Sequence, residues 1–265
     1  MVHNPNWGGF DDYGLSLDVF FVLNDLGVRT ATQNKIVNAV KANSAAYTTY
    51  DDGTSVTFRP GSGGKLALAI EAAGGDATDV NGTDLIAKIE QETNDATGES
   101  ANTYGLFGQA FATRALLSEE SAEAAKSVEF VANQQCENGS FKQNLAAACP
   151  AVIEVDTTVV AAQTLIEAKD AGIAGLDDEI AKATAALLAA QQADGSFIGN
   201  GVSNSNSTGL AAAYLAQVGQ TGAAGSAAGW LVKHQVTDAA AEAGPLATET
   251  GAIAYDATAL TAGLA

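Results

Sequence analysis

The sequence predicts an all-α barrel of about six helical hairpins, on the basis of three observations. A unit of about 50 residues recurs along the 265-residue chain. Within each unit, a nearly uncharged segment of helical character is followed by one that carries charge on one face. Strand signals are confined to short pieces such as residues 55–58. Because a helix that is apolar on all sides is buried and one with a polar stripe faces water, this alternation predicts an inner and an outer ring of helices.

The first helix of each unit is expected to begin at one of six positions that recur with this period: Tyr13, Gly64, Tyr104, Asp156, Ser207 and Asp256. The uncharged segments that follow include residues 103–112, 157–166 and 209–218. Small residues there would let the inner helices crowd together. The whole chain, residues 1–265, is therefore predicted to be one domain whose last repeat is incomplete.

The charge balance excludes several kinds of partner. The chain has 12 Lys and Arg against 31 Asp and Glu, which gives a formal charge of −19. No cluster of basic residues is present, so the chain is not expected to bind nucleic acid or an anionic membrane surface. No apolar run reaches the roughly 18 residues that a membrane span requires. A monomeric protein without a membrane span is predicted.

Two cysteines bear on the compartment. Cys136 and Cys149 lie 13 residues apart in a turn-rich stretch. They are either a pair of free, buried thiols or a disulfide, and the disulfide would add roughly 3 kcal/mol of stability on the chain-entropy model. A disulfide persists outside the reducing cytosol, so this alternative predicts a secreted or cell-surface protein.

Two copies of the repeat share a short motif. FVANQQCENGSF from Phe130 aligns with LLAAQQADGSF from Leu187, with the Gln pair 134–135 over 191–192. The pattern of Gln, three residues and Gly-x-aromatic resembles the QW-type motif of the prenyltransferase and squalene oxidase repeat, and GAIAYD from Gly251 resembles a degenerate copy. The resemblance implies an α/α toroid like that of terpene cyclases, protein prenyltransferase β-subunits, cobalamin carriers and complement thioester domains.

The activities of these relatives require residues that the chain lacks. Its Asp pairs at 11–12, 51–52 and 177–178 are not preceded by the Asp of the Asp-x-Asp-Asp acid of class II cyclases. Only 6% of residues are aromatic, too few to line a carbocation cavity. Zinc ligation would need Cys near His3 or His234, and no thioester element is present. No catalytic residue, metal or cofactor is predicted.

In a toroid of the kind that the resemblance implies, the starts of the inner helices and the loops before them surround the mouth of the central cavity. The residues predicted there to bind a ligand are Asp11, Asp12, Tyr13, Tyr104, Asp156, Thr157, Asn206, Ser207, Thr208, Tyr255 and Asp256. The alternative is that Asp156, Ser207 and Asp256 only cap their helices.

A second polar layer is expected one turn deeper, at Asp18, Gln109 and Gln163. Burying such groups without partners costs roughly 1 to 3 kcal/mol, so they either bond one another or face water or a ligand.

The sequence thus favours an extracellular or cell-surface domain that binds a small molecule, a glycan or a surface protein without catalysis. The alternative is an enzyme, either a divergent terpene cyclase or a carbohydrate-active enzyme that pairs Asp11 or Asp12 with Asp156. Carriage of a cobalamin-like cofactor is a third hypothesis, which rests on fold analogy alone.

Overall fold

The computed structural model describes residues 1–4, 10–242 and 249–262, and this part of the chain is mostly helical. In chain order its elements are β1 (Val2–Asn4), β2 (Phe10–Asp12), α1 (Tyr13–Asp25), α2 (Thr30–Ala42), α3 (Ser44–Thr48), β3 (Thr49–Asp51), β4 (Val56–Phe58), α4 (Pro60–Ala72), α5 (Leu85–Glu92), α6 (Leu106–Ser118), α7 (Ala124–Ala132), α8 (Val155–Asp170), α9 (Asp177–Ala190), β5 (Ile198–Gly199), β6 (Val202–Ser203), α10 (Ser205–Gln217), α11 (Thr221–Lys233), α12 (Asp238–Glu242) and α13 (Ala257–Ala262).

The helices follow the predicted repeat. Each of the six expected starts lies within about one helical turn of an observed one, at α1, α4, α6, α8, α10 and α13. The strands form three two-stranded antiparallel hairpins, β1–β2, β3–β4 and β5–β6. The first helix is the more buried in the α4–α5, α6–α7 and α10–α11 pairs, as in α6 with seven buried residues against four in α7. The first pair differs, since α1 has three buried residues and α2 has four. These observations agree with the predicted all-α class and with its alternation of helix types.

The described chain divides into two compact units, residues 1–133 with 167–173 and residues 134–166 with 174–265. In the first unit, α4 packs against α1, α2, α5 and α6. Its core consists of buried aliphatic and aromatic side chains, among them Leu17, Phe20, Leu66, Ile70 and Leu116.

Glycines bring α4 and α6 into backbone contact. A Cβ on Gly61 would overlap the Cα of Gly108, and one on Gly64 would overlap the carbonyl oxygen of Phe111. Since both contacts advance in the same direction along the two helices, α4 and α6 run parallel. Their N-termini therefore lie at the same end of the first unit.

In the second unit, each copy of the Gln-Gly-aromatic motif forms the same turn. The N–H of Cys136 donates to the carbonyl of Ser140 over 2.8 Å, and that of Gln192 donates to Ser196 over 2.9 Å. The intervening Gly139 and Gly195 have φ of 82° and 94°, a conformation that glycine adopts readily. We call these segments, residues 135–141 and 191–197, the repeat turns.

Each repeat turn is bonded to the hairpin that follows it. Gln135 Nε2 donates to the carbonyl of Glu179 in α9, and Gln191 Nε2 donates to Ala223 in α11, at 2.8 and 2.9 Å. The same amides bond the glycine carbonyl four residues on, so Gln135 corresponds to Gln191 and the sequence alignment of the Gln pairs was wrong by one residue. Gln235 bonds Gly251 in the same manner at 3.0 Å.

The aromatic residue that ends each repeat turn is fully buried. The N–H groups of Phe141 and Phe197 donate to the hydroxyls of Thr158 and Thr208, in α8 and α10, at 3.1 and 3.0 Å. These buried hydrogen bonds therefore join each repeat turn to the helix that follows it.

The predicted disulfide is present. Cys136 and Cys149 are bonded, with their Cα atoms 5.7 Å apart, within the usual range for disulfides. Among the helices in the described part of the chain, none is long and apolar enough to cross a bilayer.

Candidate ligand-binding site

Two adjoining hollows lie in the first unit, where α1, α4 and α6 begin. The larger, which we call the acidic cleft, has a volume of about 480 Å³ and is lined by Phe10, Asp11, Asp12, Tyr13, Gly14, Ala46, Tyr47, Arg59 and Ser62. The smaller, which we call the Tyr104 pocket, has a volume of about 150 Å³ and is lined by Tyr47, Arg59, Gly61, Ser62, Lys65, Asn102, Thr103, Tyr104, Phe107, Gly108 and Phe111. Tyr47, Arg59 and Ser62 belong to both.

The β1–β2 hairpin places the two carboxylates of the acidic cleft. His3 pairs with Asp11 across the hairpin, and their side chains approach to 3.4 Å. Asp12 is the N-cap of α1 and its Oδ1 accepts the N–H of Leu15 at 2.9 Å. Both carboxylates thus have local partners and still reach the cleft.

The β3–β4 hairpin places Arg59. The N–H of Arg59 donates to the carbonyl of Thr48 at 2.7 Å, and Pro60 then opens α4 at a position where no backbone N–H is needed. The guanidinium carbon lies 4.9 Å from the ring centre of Tyr50 and 5.2 Å from that of Tyr104. Cation–π attraction from the two rings therefore holds the guanidinium in place.

Arg59 and Lys65, the two basic residues of the Tyr104 pocket, differ in their partners. Within residues 1–4, 10–242 and 249–262 Arg59 forms no ion pair, and its buried Nε has no hydrogen-bond partner. By contrast, Lys65 in the same pocket pairs with Asp18 at 2.6 Å and lies 5.2 Å from the ring of Phe111. The positive charge available to the hollows is therefore that of Arg59.

Tyr47 stands between the two hollows and is mostly buried. Burial raises the pKa of its phenol, the carboxylate of Asp18 raises it further, and a hydrogen bond with Ser62 acts in the opposite direction. Its ring centre is 6.0 Å from that of Tyr13. The phenol therefore stays neutral at physiological pH and can both donate and accept a hydrogen bond.

The backbone around the Tyr104 pocket is strained and exposes helix ends. Asn102 and Tyr104 have φ of 56° and 58°, which is uncommon for residues other than glycine. Neither α4 nor α6 has a side chain that caps its N-terminus, whereas α1 is capped by Asp12. Two positive helix-dipole ends consequently meet at the pocket without a side-chain acceptor.

Of the predicted mouth residues, the structure brings Asp11, Asp12 and Tyr13 together in the acidic cleft, next to Tyr104 across Arg59. Tyr104 is 69% exposed. These four residues come from two different repeats.

The predicted residues of the second unit have mainly local partners. Asp256 accepts the N–H of Ala259 at 2.7 Å, so it caps α13, as the alternative to ligand binding predicted. Ser207 does not cap α10, since Asn204 accepts the Ser207 N–H at 3.0 Å and takes that position. The hydroxyl of Ser207 and Oδ1 of Asp156 are buried without a hydrogen-bond partner in the described part of the chain.

Three other predicted residues are likewise engaged by neighbouring groups. Thr157 donates to Gln143 at 3.2 Å, Thr208 accepts from Phe197, and the carbonyl of Tyr255 accepts from Ser205 at 2.8 Å. Thr208 is completely buried, so its hydroxyl serves the repeat turn.

The second polar layer is bonded within the protein. Gln109 is fully buried and bonds Ser100, Gly98 and Ser127, while Asp18 pairs with Lys65. Asp18 and Gln109 therefore have separate partners within the first unit and do not bond each other. Gln163 lies half-buried on α8, in the second unit.

Sequence reasoning missed Tyr47, Arg59, Ser62 and Lys65. The signal for Arg59 was the Pro that follows it, because Pro favours the first position of a helix. Because α4 starts at Pro60 rather than near Gly64, Arg59 is the N-cap residue of α4, as Asp12 is of α1.

Comparisons with known proteins give no family assignment, since no protein-family model matches the chain and no curated protein matches it significantly. In the described part of the chain, no group of three or more His, Cys, Asp and Glu residues is placed to hold a metal ion.

Proposed function

We propose that the chain is an extracellular or cell-surface α/α-toroid domain of the prenyltransferase and squalene oxidase repeat type that binds a small, hydroxylated ligand without catalysis. The ligand would occupy the acidic cleft and the Tyr104 pocket. The observation that carries this proposal is the pair of adjoining hollows, which share Tyr47, Arg59 and Ser62.

Support for the fold comes from the repeat itself. Six first helices recur at about the predicted positions, and the Gln-Gly-aromatic motif makes the same contacts in each repeat turn. A repeat whose turn bonds the next hairpin favours a closed stack of hairpins.

Support for a ligand comes from the chemistry of the lining. A volume of about 480 Å³ lies within the usual range of small-molecule sites, about 300 to 1,000 Å³. Aromatic faces at Phe10 and Tyr13 suit the apolar face of a sugar ring, and Asp11 can accept hydrogen bonds from its hydroxyls. A mono- or disaccharide matches this combination.

Support for binding without catalysis comes from the carboxyl group with the clearly raised pKa. The pKa of Glu71 is raised to about 7, mainly by burial; a hydrogen bond from Ser118 opposes the rise and nearby Glu119 contributes to it. Glu71 lies near the C-terminal end of α4, about 18 Å along the helix from Arg59. The candidate general acid is therefore at the opposite end of α4 from the hollows.

Saturation-transfer difference NMR with a panel of neutral and acidic mono- and disaccharides tests the proposal. We expect at least one sugar to bind, Phe10→Ala to weaken it several-fold, and Val22→Ala to leave it unchanged. Phe10 lines the cleft and is 46% exposed, whereas Val22 is 58% exposed and does not line it. Absence of binding across the panel, or equal binding to Phe10→Ala, would refute the site, and hydrolysis of a glycoside would refute the non-catalytic part.

Support for an extracellular location is the Cys136–Cys149 disulfide, since structural disulfides persist in oxidising compartments. Thiol titration of the protein purified from its native source should find no free thiol before reduction and two after it. Two free thiols in the unreduced protein would refute this location.

A further inference from the structure

We infer that the Tyr104 pocket binds an oxyanion, a carboxylate or phosphate group of the ligand, on the guanidinium of Arg59. The identity of the hydroxylated body beside it rests on the proposed function, but the anion site itself does not. The pocket has a volume of about 150 Å³, which admits one such group.

The first argument is the charge balance around Arg59. The chain has 31 acidic residues, and in the described part of it Lys65, Arg114 and Lys126 each pair with one. Arg59 is half-buried yet forms no such pair there. A partly desolvated guanidinium without a counter-ion favours an incoming anion, which its planar fork can bind through two hydrogen bonds.

The second argument is that nearby carboxylates are otherwise engaged. Asp11 lies against His3, Asp12 caps α1, and Asp18 pairs with Lys65. Each of these contacts would be lost if the carboxylate turned to Arg59. The guanidinium lies instead against the rings of Tyr50 and Tyr104.

The third argument is the local field. Gly61 and Gly108 line the pocket in the first turns of two parallel helices that no side chain caps. Backbone N–H groups at such ends attract oxyanions, and the two dipole ends repel each other less when an anion lies between them. The acidic cleft next to the pocket then suits the hydroxyl-bearing part of the same ligand.

The test is ¹H–¹⁵N NMR titration of the full chain with inorganic phosphate, D-glucuronate and D-glucose at matched ionic strength. We expect glucuronate, phosphate or both to shift the Arg59 Nε–Hε signal and the Gly61 and Gly108 amides. If glucuronate shifts these signals, the anion is a carboxylate, and if phosphate shifts them, it is a phosphate. Glucuronate should bind at least tenfold more tightly than glucose if the anion is a carboxylate.

Arg59→Gln should weaken anion binding at least tenfold, and Arg59→Lys should restore part of it. The matched control is Arg29→Gln, which removes an exposed arginine of the same unit that lines neither hollow. Circular dichroism checks that the variants fold. If Arg59→Gln does not fold, the chemical-shift changes of the wild-type protein on anion titration decide whether the site exists.

The outcomes separate the two proposals. Glucose binding as well as glucuronate, with Arg59 signals unmoved by either anion, overturns the oxyanion site and keeps the saccharide site. Anion-dependent shifts at Arg59 without any saccharide binding keep the oxyanion site and overturn the proposed function. Shifts equal in Arg59→Gln and wild type also overturn the oxyanion site.

Discussion

Replacing Gln109 with Ala should destabilise the first unit strongly, because the side chain of Gln109 is fully buried and satisfies backbone groups. Its Oε1 accepts the N–H of Ser100 at 2.8 Å, and its Nε2 donates to the carbonyl of Gly98 at 3.1 Å and to Ser127 Oγ at 3.0 Å. Ser127 retains a bond to Thr113, but the two backbone groups would be orphaned. At roughly 1 to 3 kcal/mol for each buried orphan, we expect a loss of about 4 kcal/mol, including a small cavity.

Urea unfolding followed by circular dichroism measures the loss, and hydrogen exchange of the Ser100 amide shows whether it is local. The matched control is Gln91→Ala, an exposed glutamine on α5, which should change stability by less than about 0.5 kcal/mol. A loss below about 1 kcal/mol in Gln109→Ala, with exchange at Ser100 unchanged, would show that these hydrogen bonds do not hold the loop before α6.

Three further predictions concern packing, the disulfide and pH. Gly64→Ala should lower the unfolding free energy by about 2 kcal/mol, because a methyl there overlaps the backbone of α6, whereas Gly209→Ala, with open space around it, should raise it by up to about 1 kcal/mol. Reduction of Cys136–Cys149 should lower stability by about 3 kcal/mol, measured by thermal unfolding with and without reductant. Because folding raises the pKa of Glu71 from 4.5 to about 7, the contribution of its protonated form to the unfolding free energy is fully present below pH 4.5. This contribution is lost as the pH rises through about 7, and Glu71→Gln should flatten the resulting decline in stability.

Each of these has a clear contrary outcome. Equal effects of the two glycine substitutions would mean that α4 and α6 separate without cost. An unchanged melting temperature after complete reduction would mean that the loop is held by other contacts. A decline in stability that persists between about pH 4.5 and 7 in Glu71→Gln would assign the titration to another group.

The repeat, the helix types and the disulfide could be predicted because they depend on local patterns. The 50-residue period marks each hairpin, charged residues mark second helices such as α5, α7 and α9, and Cys136 and Cys149 are the chain's two cysteines. The Gln of the motif was misaligned by one residue because two adjacent glutamines look alike in sequence. The hydrogen bond to Glu179 identifies Gln135 as the structural one.

The candidate site could be predicted only in part, because it depends on contacts between distant segments. Asp12 and Tyr13 were found as residues at a helix start, a local feature. Arg59 was missed because its importance comes from Tyr50, Tyr104 and the absence of a carboxylate partner in the described part of the chain. Gln109 was placed in a cavity because a buried amide looks the same in sequence whether it bonds a ligand or a loop.

The repeat turns also set an order of assembly. The turn after α7 needs Glu179 and Thr158, and the turn after α9 needs Ala223 and Thr208, so each turn is completed by residues 11 to 44 positions further along the chain. During synthesis, the polar groups of a repeat turn that has left the ribosome therefore lack their protein partners until the next hairpin emerges. Pausing translation between two repeats should leave the last exposed turn open to proteases, and chain elongation by one more hairpin should close it.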